Sequence, residues 1–173
     1  RVLLLFDYDG TLTPIVSHPR FATLPDETRR SLAVLAGMDR FIVGVVSGRS
    51  LSDVAELVAI PSLVYAGNHG LEIRGRGMDF VHPETLSFKA SLAAVLGTLE
   101  RELAEVPGVE LDNKSLTLTV HFRNTTDSFI DQVRATVLAT AGPYVEAGQM
   151  RITTGKMVVE VRPNLDWGKG KAI

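Results

Sequence analysis

Two aspartates that directly follow a short apolar run are the residues of this sequence with the clearest chemical potential. Residues 2–6 are all apolar, and Asp7 and Asp9 come next, in the string Asp-Tyr-Asp-Gly-Thr-Leu. Such a run predicts a central strand of a parallel sheet, buried on both faces. Ligands of open α/β sheets bind beyond the carboxyl ends of the strands, so we expect both carboxylates to reach one crevice. Gly10 allows the chain to turn away sharply after them.

Two later positions suit the binding of a phosphate group. Ser47 and Gly48 follow a second apolar run, residues 41–46, and precede a predicted helix. A hydroxyl and free amides at the start of a helix favour an anion. Lys169 stands between two glycines near the end of the chain. Each signal is weak alone, but the order of an acid pair, a serine and a lysine strengthens all three.

The elements that must position these residues form an α/β pattern. Strands are predicted at residues 2–6, 41–46 and 62–66, and helices at residues 25–38 and 50–58. Ser50 and Asp53 resemble a capping pair at the start of the second helix. Alternation of strands and helices predicts a parallel sheet with crossover helices.

The pattern changes in the middle of the chain. Helices are predicted at residues 86–106 and 127–141, an alternating antiparallel strand at residues 116–122, and another strand within residues 152–161. We interpret residues 75–160 as a small α+β domain inserted into the core, with an open polar face suited to a lid. The core would then comprise residues 1–74 and, after the insertion, residues 161–173.

Composition excludes several classes of protein. The 173 residues carry a formal net charge of −2 and no cysteine, so there is no electrostatic basis for binding nucleic acid or an anionic membrane. No apolar stretch approaches the roughly 18–20 residues of a membrane span. The chain starts directly in a predicted strand, without a signal peptide, and we expect a cytoplasmic location.

The motifs together resemble those of haloacid dehalogenase (HAD) superfamily phosphatases, and closely those of the trehalose-6-phosphate phosphatase family. Residues 7–12 match the first superfamily motif, Ser47 the second and Lys169 the third. Four longer strings are similar to the trehalose branch, namely residues 7–15, 66–72, 120–123 and 155–163. The resemblance implies a HAD-like Rossmannoid core, a parallel α/β sheet, with an inserted C2-type α+β cap.

The resemblance also implies roles for the residues already singled out. Asp7 would attack phosphorus and form an aspartyl-phosphate, since an aspartate is ionised at pH 7 and requires no activating base. Asp9 would protonate the leaving sugar oxygen and then activate water. Mg²⁺ would bind Asp7 and the backbone carbonyl of Asp9. Ser47, Gly48 and Lys169 would hold the phosphoryl oxygens.

Sugar recognition would come from the inserted domain. Asp112, Lys114 and Glu160 match polar positions at which the family's cap meets the disaccharide. The family more often carries Glu where Asp112 stands, and the shorter side chain of Asp112 would reach the sugar through a water molecule or adjust the specificity. His121 alternates with core positions on its strand, and the pattern leaves open whether it faces the sugar or only solvent.

Other functions compete with hydrolysis of trehalose 6-phosphate. A related enzyme could act on sucrose phosphate or on mannosyl- or glucosyl-phosphoglycerate. A non-catalytic regulatory domain of a sugar-phosphate synthase has no need to retain both Asp7 and Asp9. A phospho-receiver domain lacks an insertion of this size. The resemblance allows fusion to, or association with, a trehalose-phosphate synthase.

The end of the chain leads to one further expectation. The fourth superfamily motif is a pair of acids on a later strand, and nothing after Lys169 supplies it. Glu72 and Asp79 lie at the hinge or in the cap and are poor substitutes. We therefore expect a core truncated before the fourth motif, and a natural chain that continues for roughly 60 residues or more.

Overall fold

The computed structural model describes residues 1–16 and 18–172, and the chain divides into two units. Unit 1 consists of Arg1–His82 and Trp167–Ile173, and unit 2 of Pro83–Asp166. Both boundaries lie later in the chain than the sequence analysis placed them, at 74/75 and 160/161. The first differs because a hairpin that follows residue 71 extends the sheet of unit 1, and the second because the last strand of unit 2 ends at Pro163.

Among its described residues, unit 1 contains one five-stranded sheet and two α-helices. The strands are β1 (Val2–Asp7), β2 (Phe41–Val46), β3 (Val64–Gly67), β4 (Glu72–Gly75) and β5 (Met78–Val81), and the helices are α1 (Asp26–Ala36) and α2 (Leu51–Val58). The order in the sheet is β1-β2-β3-β4-β5. The first three strands are parallel and the last two antiparallel. The predicted α/β core is thus present, with a hairpin added at one edge.

The first strand lies at an edge of this sheet. Among the described residues β1 pairs only with β2, and Val2 and Leu3 are each 47% exposed. The expectation of a central strand stays a prediction, because it concerns a sheet that the sequence analysis expects to continue beyond these residues. The apolar run does form the strand, but a run of apolar residues does not determine how many neighbours the strand has.

Parallel register aligns the carboxyl ends of the three strands. Asp7 pairs with Val46, and Val46 in turn pairs with Ala66. Ser50 caps α2 by accepting a 3.1 Å hydrogen bond from the amide of Asp53, as the sequence predicted. Beneath this edge the core is filled by buried side chains that include Tyr8, Val43, Val45, Val54, Val58 and Leu63.

Unit 2 is an antiparallel sheet with helices packed on it. Its elements are α3 (Thr85–Glu102), β6 (Glu110–Asn113), β7 (Leu118–His121), α4 (Asp127–Glu146), β8 (Met150–Gly155) and β9 (Val158–Pro163). The strand order is β6-β7-β9-β8. Apolar side chains of the helices and of one sheet face form the core, among them Val95, Leu99, Leu118, Val120, Phe122 and Val161.

The α+β character of unit 2 agrees with the sequence analysis, but two strands were not predicted. β6 is short and contains two acidic residues, and its sequence shows little alternation of apolar and polar residues. The single strand expected within residues 152–161 is instead the hairpin β8–β9, which turns at Lys156 and Met157. Met157 adopts a φ of 63°, a conformation that the preceding Gly-Lys pair indicates only weakly. None of the described helices combines the length and the apolarity that crossing a membrane would require.

Candidate active site

Asp7 is the last residue of β1, at the aligned carboxyl ends of the strands. Its neighbour Tyr8 is fully buried, and the Tyr8 hydroxyl donates a 2.8 Å hydrogen bond to the Ala22 carbonyl. Burial raises the pKa of this phenol. Strand residues alternate between the two faces of a sheet. Because Tyr8 is anchored in the core, the Asp7 carboxylate is left half-exposed at the carboxyl ends of the strands.

The chain folds back immediately after these residues. Gly10 has a φ of 83°, which a side chain would disfavour. The amides of Leu12 and Thr13 both donate to the Tyr8 carbonyl, each at 3.1 Å. This tight turn keeps Asp9 beside Asp7 at the same edge.

The Ser47-Gly48 turn lies next to this acid pair. The Ser47 amide donates to the Ala66 carbonyl at 2.8 Å, and the Ser47 hydroxyl accepts the Arg49 amide at 3.1 Å. A Cβ on Gly48 would come within 2.7 Å of the His69 ring, so the turn requires glycine here. The sheet therefore places Ser47 and Gly48 where the sequence predicted, one residue beyond β2.

Lys169 reaches the same edge from the opposite end of the chain. Its Nζ forms a hydrogen bond and ion pair with Asp7 Oδ1, across 162 positions of sequence. Two contacts anchor the segment that carries it: Trp167 Nε1 donates to the Gly70 carbonyl at 2.8 Å, and Ala172 packs against the Cα of Gly70. Sequence reasoning did not identify this anchor, although Trp167 is the only tryptophan in the chain.

Arg49 is a site residue that sequence reasoning missed. Its guanidinium donates from Nε to Asp9 Oδ2 at 2.9 Å and from Nη2 to Asp9 Oδ1 at 2.8 Å. The remaining Nη1 donates to Asp53 Oδ2 at 2.9 Å. Burial would lower the pKa of Arg49, but the hydrogen bonds that it donates to these two carboxylates outweigh this effect and raise the pKa above its ordinary value. The available signal was an arginine directly after Ser-Gly, four residues before an aspartate.

The oxygens at this edge suit a hard divalent cation. No described residue donates a hydrogen bond to the second carboxylate oxygen of Asp7, and the Asp9 carbonyl lies two residues further along the turn. Within residues 1–16 and 18–172, no three His, Cys, Asp or Glu side chains lie close enough together to hold a metal ion. Mg²⁺ commonly binds through one or two protein oxygens, with waters and substrate phosphate completing its shell, so the donors present fit this ion.

The four predicted sugar-binding residues lie together on the polar face of unit 2. Lys114 is 12% exposed and donates to Thr119 Oγ1 at 2.8 Å. Its Nζ also lies 3.8 Å from both Asp112 Oδ2 and Glu160 Oε1. His121 Nε2 is 3.9 Å from the same oxygen of Asp112. The structure therefore places His121 with the cluster.

Cross-strand register assembles this cluster. Asp112 pairs with Thr119, Thr119 with Glu160, and Glu160 with Thr153, which forms one row across the four strands. Thr153 donates to Glu160 Oε2 at 3.4 Å. The two threonines were not predicted as part of the site, although both occupy alternate positions of their strands. Together with Lys114, the row offers carboxylates, an ammonium group and hydroxyls, which is a set suited to sugar hydroxyl groups.

Comparison with known proteins identifies the family to which this chain is similar. The trehalose-phosphatase family profile matches residues 5–173. The trehalose-phosphate phosphatase of Mycobacterium avium (strain 104) is 38% identical over 171 residues, which cover 98% of this chain and 42% of the relative. The C-terminal domain of C. albicans trehalose-6-phosphate phosphatase superposes with a TM-score of 0.80 at 25% identity, covering 98% of this chain and 59% of that one.

A more distant structure supports the fold alone. A haloacid dehalogenase-like hydrolase from B. subtilis has a TM-score of 0.54 at 15% identity, over 98% of this chain and 75% of its own. The sheet of unit 1, with the inserted α+β unit, is accordingly a HAD-like α/β core with a cap. The chain spans less than half the length of the curated relative described above. Since the family profile covers nearly all of its residues, the chain belongs to the trehalose-phosphatase family.

Proposed function

We propose that this chain carries the phosphoryl-transfer and sugar-binding residues of a phosphatase that hydrolyses trehalose 6-phosphate to trehalose and phosphate. The observation that carries the proposal is the meeting of Asp7 with Lys169, across 162 positions of sequence. A nucleophile, an adjacent acid and a cation at one sheet edge are the groups that phosphoryl transfer needs.

In the first half-reaction, a carboxylate oxygen of Asp7 attacks phosphorus. The bond between phosphorus and the sugar oxygen breaks, and that oxygen takes a proton from Asp9. Lys169, the Ser47 hydroxyl and the Gly48 amide stabilise the negative charge of the transferring phosphoryl oxygens. The products of this step are free sugar and an aspartyl-phosphate on Asp7.

In the second half-reaction, water attacks the phosphorus of the aspartyl-phosphate. Asp9 accepts a proton from this water, and the bond between phosphorus and Asp7 breaks. Phosphate leaves, and both carboxylates return to their starting states. The two aspartates therefore suffice for one balanced cycle of covalent catalysis.

The family implies a divalent metal ion, and we propose Mg²⁺. Asp7, through its carboxylate, and Asp9, through its backbone carbonyl, would hold it. When bound, the ion supplies positive charge that offsets the repulsion between the carboxylate and the phosphate. Removing metal with EDTA should abolish turnover, and Mg²⁺ should restore it.

The cluster of unit 2 supports a sugar rather than a simple phosphate as substrate. Asp112 and Glu160 accept hydrogen bonds from hydroxyl groups, and Lys114 donates to them. His121 adds a ring nitrogen beside Asp112. Association with a trehalose-phosphate synthase and a cytoplasmic location stay predictions of the family resemblance.

The test is Asp7→Asn in the natural full-length protein, with phosphate release from trehalose 6-phosphate as the readout. Asparagine is nearly isosteric but is not an anionic nucleophile, so we expect a loss of roughly 10³-fold or more. Asp79→Asn is the matched control, because Asp79 is exposed and lies 3.9 Å from Arg74, in the hairpin β4–β5. It should retain wild-type turnover.

Three results would contradict the proposal. Near-normal turnover by a folded Asp7→Asn protein would remove Asp7 from the nucleophilic role. A wild-type protein that prefers sucrose 6-phosphate or glucosyl-phosphoglycerate in a substrate panel would identify a sibling activity. One that releases no phosphate from any member would favour a regulatory domain.

A further inference from the structure

The Arg49 side chain is buried and is held on several sides. The residue is 8% exposed, and the carbon of its guanidinium lies 5.3 Å from the centre of the Tyr8 ring. Three of its nitrogens donate to carboxylates, two of them to Asp9 and one to Asp53. A bidentate fork of this kind determines both the position and the plane of a carboxylate.

The two acids held by Arg49 are much more accessible than the arginine. The side chains of Asp9 and Asp53 are each 47% exposed. A half-exposed aspartate ordinarily samples several rotamers. Because the buried arginine binds both of its oxygens, Asp9 is limited to one orientation. Each oxygen of Asp9 retains a second lone pair, so the fork still leaves room for a proton.

The backbone of Arg49 connects this fork to the Ser47 turn. Its amide donates to the Ser47 hydroxyl at 3.1 Å, and its carbonyl accepts the Asn68 amide at 2.7 Å. Asp53 lies in the first turn of α2 and holds the far side of the guanidinium. The distance between Asp9 and the phosphate-binding turn is therefore set through a single rigid side chain.

We propose that Arg49 is the positioning residue for Asp9, holding its carboxylate at the angle needed to deliver a proton to the leaving oxygen. This inference rests on the proposed function, since it assigns Asp9 the role of general acid. Asp53 supports Arg49 from the other side. Arg49 itself need not touch the substrate.

The proposal predicts an effect that depends on the leaving group. A sugar alkoxide is a poor leaving group and needs the proton of Asp9, whereas p-nitrophenolate leaves without one. For both substrates kcat/KM reports the steps up to the transfer of the phosphoryl group to Asp7. A misplaced general acid should therefore harm trehalose 6-phosphate selectively.

The experiment compares Arg49→Lys with wild type in the natural full-length protein. Lysine keeps the charge but lacks the fork. We expect the ratio of kcat/KM for trehalose 6-phosphate to that for p-nitrophenyl phosphate to fall about 10- to 100-fold. Arg29→Lys is the control, because the hydrogen bonds of Arg29 within the described part of the chain go only to the backbone carbonyls of Leu57 and Val58. Its ratio should equal that of wild type. An unchanged ratio in Arg49→Lys would overturn the proposal.

A crystal structure of the Arg49→Lys protein gives a second readout, independent of turnover. We expect the Asp9 carboxylate to rotate or to become disordered, while β1 and the Ser47 turn stay in place. An Asp9 side chain within about 0.5 Å of its wild-type position would show that the fork does not position it. If wild type hydrolyses neither substrate, the proposed function fails, and this structure still decides the role of Arg49.

Discussion

The close approach of β3 to α2 makes Gly67→Ala the most informative test of how the fold supports the site. A Cβ at Gly67 would lie 2.3 Å from the amide nitrogen of Leu51 and 2.5 Å from its Cα. Ordinary contacts begin at 3.4 Å, so the first turn of α2 would have to retreat by about 1 Å. The obstacle is backbone, which no rotamer change can move aside.

The expected cost has two parts. Overpacking of this kind destabilises a protein by about 1–3 kcal/mol. The first turn of α2 directly follows the Ser47 turn and Arg49, so its displacement also shifts the phosphate-binding residues. A misplacement of about 1 Å lowers turnover roughly 100-fold. We therefore expect reduced stability together with a strong loss of phosphatase activity.

The assay combines urea unfolding, hydrogen–deuterium exchange of the α2 peptides and turnover of p-nitrophenyl phosphate. Gly97→Ala is the matched control, since Gly97 lies in α3 and the nearest described atom outside the helix backbone and its chain neighbours is 4.0 Å from its added Cβ, at the end of the Arg101 side chain. Alanine there should stabilise the helix by about 0.5–1 kcal/mol and leave turnover unchanged. Wild-type exchange in α2 and wild-type turnover in Gly67→Ala would refute the reasoning.

Two further predictions concern sugar selectivity and alkaline stability. Lys114→Ala or Glu160→Ala should lower turnover of trehalose 6-phosphate about 5- to 150-fold more than turnover of p-nitrophenyl phosphate. The reason is that losing a buried hydrogen-bonding partner of the substrate costs roughly 1–3 kcal/mol. Equal losses on both substrates would exclude a sugar-binding role. Burial raises the pKa of Tyr65 above its ordinary value of 10.0, although its hydrogen bond with Ile60 and the charge of Arg29 oppose the shift. The folded protein then keeps a proton that the unfolded chain releases, so the free energy of unfolding should fall as pH rises above 10. Tyr65→Phe should flatten this decrease in urea titrations, and an unchanged slope would contradict the assignment.

Local patterns along the sequence account for most of unit 1. The apolar run before Asp7 forms a strand that ends where the acids begin, and the second run forms β2 and ends before Ser47. The Ser50–Asp53 pair caps α2 as expected. These features depend on residues within a few positions of one another, so spacing and residue type suffice to predict them.

Contacts across strands could not be obtained in the same way. The fork from Arg49 to Asp9 joins residues 40 positions apart, and it exists because β1 and β2 pair in one register. The row from Asp112 to Thr153 likewise depends on the registers of four strands. A shift of one residue would turn Thr119 into the core.

The sequence by itself therefore determined the order of the elements and of the candidate site residues along the chain: the acid pair, the serine turn, the inserted α+β unit and the lysine. Tertiary structure decided that Trp167 and Gly70 anchor the segment of Lys169 and that Arg49 holds Asp9. The physical reason is the distance along the chain over which each kind of interaction acts. Backbone periodicity and capping are local, whereas strand neighbours, register and buried ion pairs depend on the packing of distant segments.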